Sequence, residues 1–142
     1  MPTSSDTNQV LHGGLHHVEI WVPDLQRAIE DWAWLLESLD YTLYQTWDNG
    51  RSWRHHTTYL VFEQSPDLVH HRHDRCAPGL NHLAFHVATR ADVDTLTDKA
   101  IADAGWSLLF PERHPHAGGT QQYAAYIENR DGFEVELVAV AP

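Results

Sequence analysis

Cysteine is almost missing from this 142-residue chain, where Cys76 stands alone. A single thiol excludes an intrachain disulfide. Residues 1–9 are polar, with neither a basic segment nor an apolar stretch behind them, so no secretory leader is visible. The expected compartment is therefore the cytoplasm. Lysine is equally scarce, Lys99 being the sole example. Nine Lys and Arg oppose 20 Asp and Glu, a net charge of −11 with His neutral. No basic stripe gathers among them, which excludes nucleic acid and anionic membrane surfaces as expected partners. Long apolar runs are missing as well. Each is short and broken by His or Glu, so none is long enough to span a bilayer. No nucleophile elbow, phosphate-binding loop or dinucleotide glycine motif occurs, so acyl-transfer, nucleotide and Rossmann chemistry have no support.

What remains is the profile of one globular domain, or of two small modules sharing a core: 42% hydrophobic and 20% charged residues. Histidine is the outlying number. Twelve histidines beside 20 carboxylates are raw material for a divalent metal site, although composition does not say which of them converge.

Self-comparison organises the chain. Gly14-Leu15-His16-His17-Val18-Glu19-Ile20-Trp21-Val22 resembles Gly79-Leu80-Asn81-His82-Leu83-Ala84-Phe85-His86-Val87, with four of nine positions identical at an offset of 65. The same offset pairs Tyr41-Thr42-Leu43 with Trp106-Ser107-Leu108. Each half opens on a strand of period 2: Val18, Ile20 and Val22 in one, Leu83, Phe85 and Val87 in the other. A helix follows. Asp24 is the expected N-cap of the first, whose apolar stripe is Leu25, Ala28, Ile29, Trp32, Leu36 and Leu39. In the second, Thr89 and Asp92 form a capping-box variant, the stripe is Val93, Leu96, Ala100, Ile101 and Ala104, and Gly105 ends the helix.

Three more strands complete each half. They span 41–47, 51–54 and 58–63 in the first and 106–110, 123–128 and 133–140 in the second. The expected organisation is a flexible tail over 1–11, a βαβββ module over 12–65, a linker over 66–78 and a second βαβββ module over 79–142. Apolar side chains of the opening strands pack under the helices. The opposite face then carries His17, Glu19 and Trp21 in one half and His82, Ala84 and His86 in the other. On the last strand Phe133, Val135 and Leu137 face the helix, so Glu134 and Glu136 point away from it. The fold class is α+β, with helices outside a cup whose inner wall bears His and Glu.

The segments 14–25, 80–85 (Leu-Asn-His-Leu-Ala-Phe) and 131–138 (Asp-Gly-Phe-Glu-Val-Glu-Leu-Val) resemble those of the vicinal-oxygen-chelate superfamily. That superfamily contains glyoxalase I, fosfomycin-resistance and bleomycin-resistance proteins and extradiol dioxygenases. The resemblance spans residues 14–140 and implies two tandem βαβββ modules forming a cup-shaped, curved mixed sheet. It places metal ligands on His17, His82 and Glu136, a set suited to Fe(II), Mn(II), Zn(II) or Ni(II) with positions left open for substrate or water. A Glu inside an otherwise apolar strand also needs a partner to offset its burial. Glyoxalase I enzymes carry a fourth ligand, Glu or Gln, on the last strand of the first module. Here the matching register falls on Tyr59 or Val61, and on Glu63 only with a shift of two or four residues. That moves the site toward the three-ligand type.

Further candidates surround these three. Glu19 and Glu134 point inward as general bases or as partners orienting a ligand imidazole, the alternative being exposure at a sheet edge. His86 lies roughly 13 Å along the strand from His82, too far to share its ion but within reach of a substrate. Tyr126 and Trp21 line the cup or fill the core. His114 and His116, beside Gly118 and Gly119, sit in a long loop that borders the cavity in this family. His70, His71 and His73 lie in the polar linker, where a flexible segment does not preorganise a site. His12, His55 and His56 carry no signal.

The leading expectation is a metal-dependent enzyme that chelates vicinal oxygens of a small substrate, with lyase, isomerase, transferase or extradiol-type dioxygenase chemistry. In the dioxygenase case, His86 or Tyr126 would handle protons. The alternative is a metal-free, bleomycin-resistance-like protein that sequesters a small aromatic ligand, a role that six tryptophans and an acidic surface suit. The cup is built either from one chain's two modules or in a homodimer.

Overall fold

The same order of elements is traced twice in the computed structural model, which describes residues 11–142. Most of the expected tail over 1–11 lies outside the described residues. The first module runs β1 (His17–Trp21), α1 (Leu25–Ser38), β2 (Thr42–Trp47), β3 (Gly50–His55) and β4 (Thr58–Glu63). The second runs β5 (His82–Thr89), α2 (Arg90–Asp103), β6 (Ser107–Leu108), β7 (Ala124–Glu128) and β8 (Glu134–Ala141). Strand order is β1-β4-β3-β2 in one sheet and β5-β8-β7-β6 in the other. In each, the opening strand pairs parallel to the closing one and the remaining pairs are antiparallel. Both modules are therefore mixed βαβββ units of one topology. No described helix is long and apolar enough to cross a membrane.

Local chemistry sets the helix ends. The Asp24 carboxylate accepts from the Arg27 backbone N–H at 2.9 Å, satisfying one of the orphan donors of the first turn. Thr89 does the same for Asp92 at 3.1 Å, and its hydroxyl donates to the Asp92 carboxylate at 2.9 Å. Beyond α2, Gly105 adopts φ +75°. That conformation returns the Trp106 N–H to the Ala100 carbonyl and closes the helix.

The helix-covered faces of the two sheets pack toward each other. Ile20, Leu60 and Phe62 from the first sheet and Phe85, Val135 and Leu137 from the second join one continuous core with α1 and α2. Trp32 is its junction, only 1% exposed. Its ring lies 4.9 Å from Phe62 in the first module, and 5.3 Å from Trp106 and 6.3 Å from Phe133 in the second. Two ion pairs fasten the same seam. Arg27 reaches Asp131 at 2.6 Å and Arg130 reaches Asp31 at 2.7 Å, so each module gives one cation and one anion. Burial pushes the Asp31 carboxyl above its ordinary range, against the pull of Arg130.

Asp31, off the apolar stripe, is 1% exposed because the second module covers that side of α1. Three features differ from the sequence reading. Ile101, counted in the stripe of α2, is exposed. The strand expected over 106–110 shortens to Ser107–Leu108, as the chain turns at Phe110 with φ +51°. The linker is also fastened rather than loose. The His73 N–H donates to the Asp131 carbonyl at 2.9 Å, and the His73 ring stacks 4.5 Å from Phe133. Its backbone lies so close to Gly132 (φ +88°) that a Cβ there would overlap the His73 carbonyl oxygen. Only glycine satisfies both the conformation and the space.

Since Trp32 belongs to both modules' packing, Trp32→Ala is expected to cost about 3–5 kcal/mol. Ile101→Ala is expected to cost less than about 0.5 kcal/mol. Denaturant unfolding checks the pair, and hydrogen exchange is expected to show protection falling in both modules of the Trp32 variant.

Candidate metal centre

Residues directly opposite in paired strands point to the same face of a sheet. In the second module this places His82, Glu134 and Glu128 in one row across β5, β8 and β7. Ala84, Glu136 and Tyr126 form the next row, and His86, Val138 and Ala124 the third. In the first module the matching rows are His17, Tyr59 and Arg54, then Glu19, Val61 and Ser52, then Trp21, Glu63 and Gly50. The register also compares the two modules position by position. Val61 occupies in the first module the place that Glu136 holds in the second, and it is a buried valine. Glu63 sits one row further on, where its carboxylate accepts from Trp47 Nε1 at 3.2 Å.

The second module gathers polar groups densely. Because β8 is an inner strand, Glu134 and Glu136 are 4% and 7% exposed although they face away from the helix. Sheet-edge exposure of Glu134 is thereby excluded. His82 lies between the two carboxylates, with Nε2 3.3 Å from Glu136 Oε1 and Nδ1 3.5 Å from Glu134 Oε2. The Asn81 side-chain oxygen stands 2.7 Å from Nδ1. With Nδ1–H donated there, the lone pair of Nε2 faces Glu136. Arg75, from the linker, meets Glu134 at 3.0 Å, while Arg72 meets Glu128 at 3.0 Å. Burial nevertheless holds the Glu134 carboxyl above its ordinary range, with Arg75 and His82 pulling the other way. Tyr126 stands opposite Glu136 in the same row; burial first, then that carboxylate, push its phenol up to about 12.

The first module is aromatic where the second is acidic. The His17 ring stacks on Tyr59 at 4.9 Å and 6°, and His16 Nδ1 lies 2.9 Å from His17 Nδ1. Tyr44 packs on Tyr59, with the Arg54 guanidinium 4.4 Å above the Tyr44 ring. Glu19, exposed, accepts from Trp21 Nε1 at 2.7 Å.

The structure thus brings His82, Glu134, Glu136 and Tyr126 together. It leaves His17 and Glu19 on the other sheet, and His86 in a 400 Å³ groove beside His55 and Asp40. Among the described residues no three His, Cys, Asp or Glu side chains are grouped to hold an ion. His116 braces its own loop, Nδ1 lying 2.9 Å from the Gln122 carbonyl oxygen. Arg75 and Asn81 were not singled out by the sequence reading. Asn81 precedes the repeated His, where the first module has His16, and that difference between the repeats was the available signal.

The model of the glyoxalase/bleomycin resistance protein/dioxygenase superfamily matches residues 16–126. YqjT of Bacillus subtilis, an uncharacterised protein, is 42% identical over 126 residues, covering 88% of this chain and 98% of that protein. The crystal structure of a candidate glyoxalase from Bacillus halodurans superposes with a TM-score of 0.87 at 45% identity, covering 93% of this chain and 99% of that one. FosX, a fosfomycin resistance protein of Listeria monocytogenes solved with Mn(II) and sulfate, shares the fold at a TM-score of 0.61 and 19% identity, covering 89% and 90%.

Glu134 depends on Arg75 for its countercharge. Arg75→Met is expected to lower stability by about 1–3 kcal/mol at neutral pH, because it strands a buried carboxylate. A carboxyl raised in the folded state is penalised when ionised and relieved when protonated. The loss should therefore shrink as pH falls, and adding Glu134→Gln should recover most of it. Denaturation curves at neutral and acidic pH check all three outcomes.

Proposed function

The chain belongs to the glyoxalase/bleomycin resistance protein/dioxygenase superfamily, and from that premise we propose a divalent-metal-dependent enzyme acting on vicinal oxygens of a small substrate. The ligands are His82 and Glu136 of one chain with His17 of a second copy. The observation that carries this reading is the 3.3 Å approach of His82 Nε2 to the buried Glu136 Oε1. Two donors each about 2.1 Å from one ion, at right angles, stand about 3 Å apart. The donor set fits a borderline cation, and the buried carboxylate needs positive charge. His17 lies on an open face of the other module, which supports completion of the site by a second copy.

A bound divalent ion supplies Lewis-acid polarisation of the substrate oxygens and steadies negative charge developing on them. The chain's own groups do the rest. Asn81 holds the His82 ring with Nε2 forward, and Glu134 backs the same imidazole. Glu19, with one oxygen engaged by Trp21, keeps the other free to accept a proton from the substrate. Tyr126 keeps its proton at neutral pH and serves as a donor.

FosX was solved with Mn(II), which makes Mn(II) the first ion to test. Tag-free, chelator-stripped protein titrated with Mn(II), Fe(II), Zn(II) and Ni(II) is expected to show metal-dependent thermal stabilisation. His17→Ala, His82→Ala and Glu136→Gln should each weaken binding by more than about 100-fold. Mixing His17→Ala with Glu136→Gln protein should restore sites in mixed dimers; failure to do so assigns the cup to a single chain. Wild-type protein unaffected by any of the ions overturns the metal reading. Tryptophan quenching by a cationic aromatic drug would then favour the ligand-sequestering alternative. Isomerase, lyase and oxygen-uptake assays on loaded protein separate the chemistries.

A further inference from the structure

The open face of the first sheet carries a run of aromatic rings that lies outside the core. The His17 ring on β1 is stacked on Tyr59 of β4, and the exposed His16 meets Tyr59 edge-on at 5.3 Å. Tyr44 brings β2 into the run, its ring 5.2 Å from Tyr59. Apolar burial does not account for the grouping. Tyr44 is 44% exposed, and neither tyrosine joins the cluster that Leu60 and Phe62 form on the other side of the sheet.

Arg54 closes the run at its far end. It shares the row of His17 and Tyr59 across the sheet, and its guanidinium carbon lies 4.4 Å from the centre of the Tyr44 ring. Arg27, Arg72, Arg75, Arg113 and Arg130 each meet a carboxylate. Arg54 meets none among the described residues, in a chain whose net charge is −11. Glu19, the acid of the next row, accepts from Trp21 Nε1 instead. The face therefore sets a cation with uncommitted charge beside exposed rings.

We propose that Tyr44, Tyr59 and Arg54 form a subsite for a small planar aromatic carboxylate, its ring against the tyrosines and its carboxylate on Arg54. Both ends of such a ligand find a partner here. Contact between aromatic rings is favourable beyond the area it buries, and a planar guanidinium offers paired N–H donors that match a carboxylate. A ligand with a positive group in that place would meet Arg54 as a like charge. The inference gives the substrate proposed above a chemical class and rests on that reading for the ligand's role. Binding itself involves no ion and no group of the second module.

Equilibrium dialysis against tag-free, chelator-stripped, full-length protein tests it with naphthoate, its neutral counterpart naphthamide, and the ringless-π anion cyclohexanecarboxylate. Naphthoate is expected to bind most tightly. Arg54→Gln should weaken naphthoate about 10–100-fold and leave naphthamide nearly unchanged. Tyr44→Leu should weaken both naphthyl probes about 2–10-fold, and Tyr44→Phe neither. Both positions are exposed, so each variant is expected to melt like wild type. Wild-type protein that binds naphthoate no better than the other probes, or equally well after Arg54→Gln, overturns the proposal. So does an Arg54→Gln protein whose only change is its oligomeric state, which assigns the guanidinium to a second copy. Naphthoate binding by protein that no ion stabilises removes the metal reading alone. Metal stabilisation without naphthoate binding removes this subsite alone.

Discussion

Two carboxylates on an inner strand are the constraint around which the second module is arranged. Glu134 and Glu136 sit on β8, flanked by β5 and β7, and both are buried. Removing an ion from water costs several kcal/mol unless countercharge and hydrogen bonds are supplied. The countercharge for Glu134 comes from far away in sequence, Arg75 arriving from the linker. His82 and Tyr126 flank Glu136 from the two neighbouring strands. The path of the linker follows from this requirement. A segment that only had to join two modules would not need Arg72 and Arg75 on the β7–β8 edge or His73 stacked on Phe133. In a chain with nine Lys and Arg against 20 acids, committing two of the nine here is a large share.

Duplication supplied two copies of one scaffold, and the paired registers show how the copies diverged. Where the second module has Glu134, Glu136 and Glu128, the first has Tyr59, Val61 and Arg54. The opening-strand His is the member both rows keep. The first module thus offers an imidazole on an aromatic, cation-bearing face, and the second an imidazole between buried acids. The two open faces therefore differ in charge and in character.

Much of this was legible in the residues, for identifiable reasons. Period-2 alternation and the 65-residue offset select His17 and His82, and parity places Glu134 and Glu136 together on the face away from the helix. Asp24 and Thr89 cap because short-range hydrogen bonding depends on a few adjacent residues. Burial of Glu134 was not legible, since alternation gives the face of a strand but not its rank within the sheet. Arg75 was hidden for a related reason: its partner is 59 positions away and no local period marks it. Burial of Asp31 was not legible either, because the stripe of α1 describes one helix on one sheet, whereas α1 is covered from two directions.

The division of labour between faces follows from the seam at Trp32. That ring, with the Arg27–Asp131 and Arg130–Asp31 pairs, joins the helix-covered sides of the two modules, so folding is carried on one side of each sheet. The other sides are left open with His17, Glu19 and Trp21 exposed. Residues there can change without emptying the core, which is how a scaffold comes to host unrelated chemistries. Glu134 and Glu136 are the exception, because they are buried on the chemical face. Any change of function that altered their charge would have to alter Arg75 or His82 as well. The site's ligand chemistry and the fold's electrostatic balance are therefore coupled through β8, and in the first module, where Tyr59 and Val61 stand in the same places, they are not.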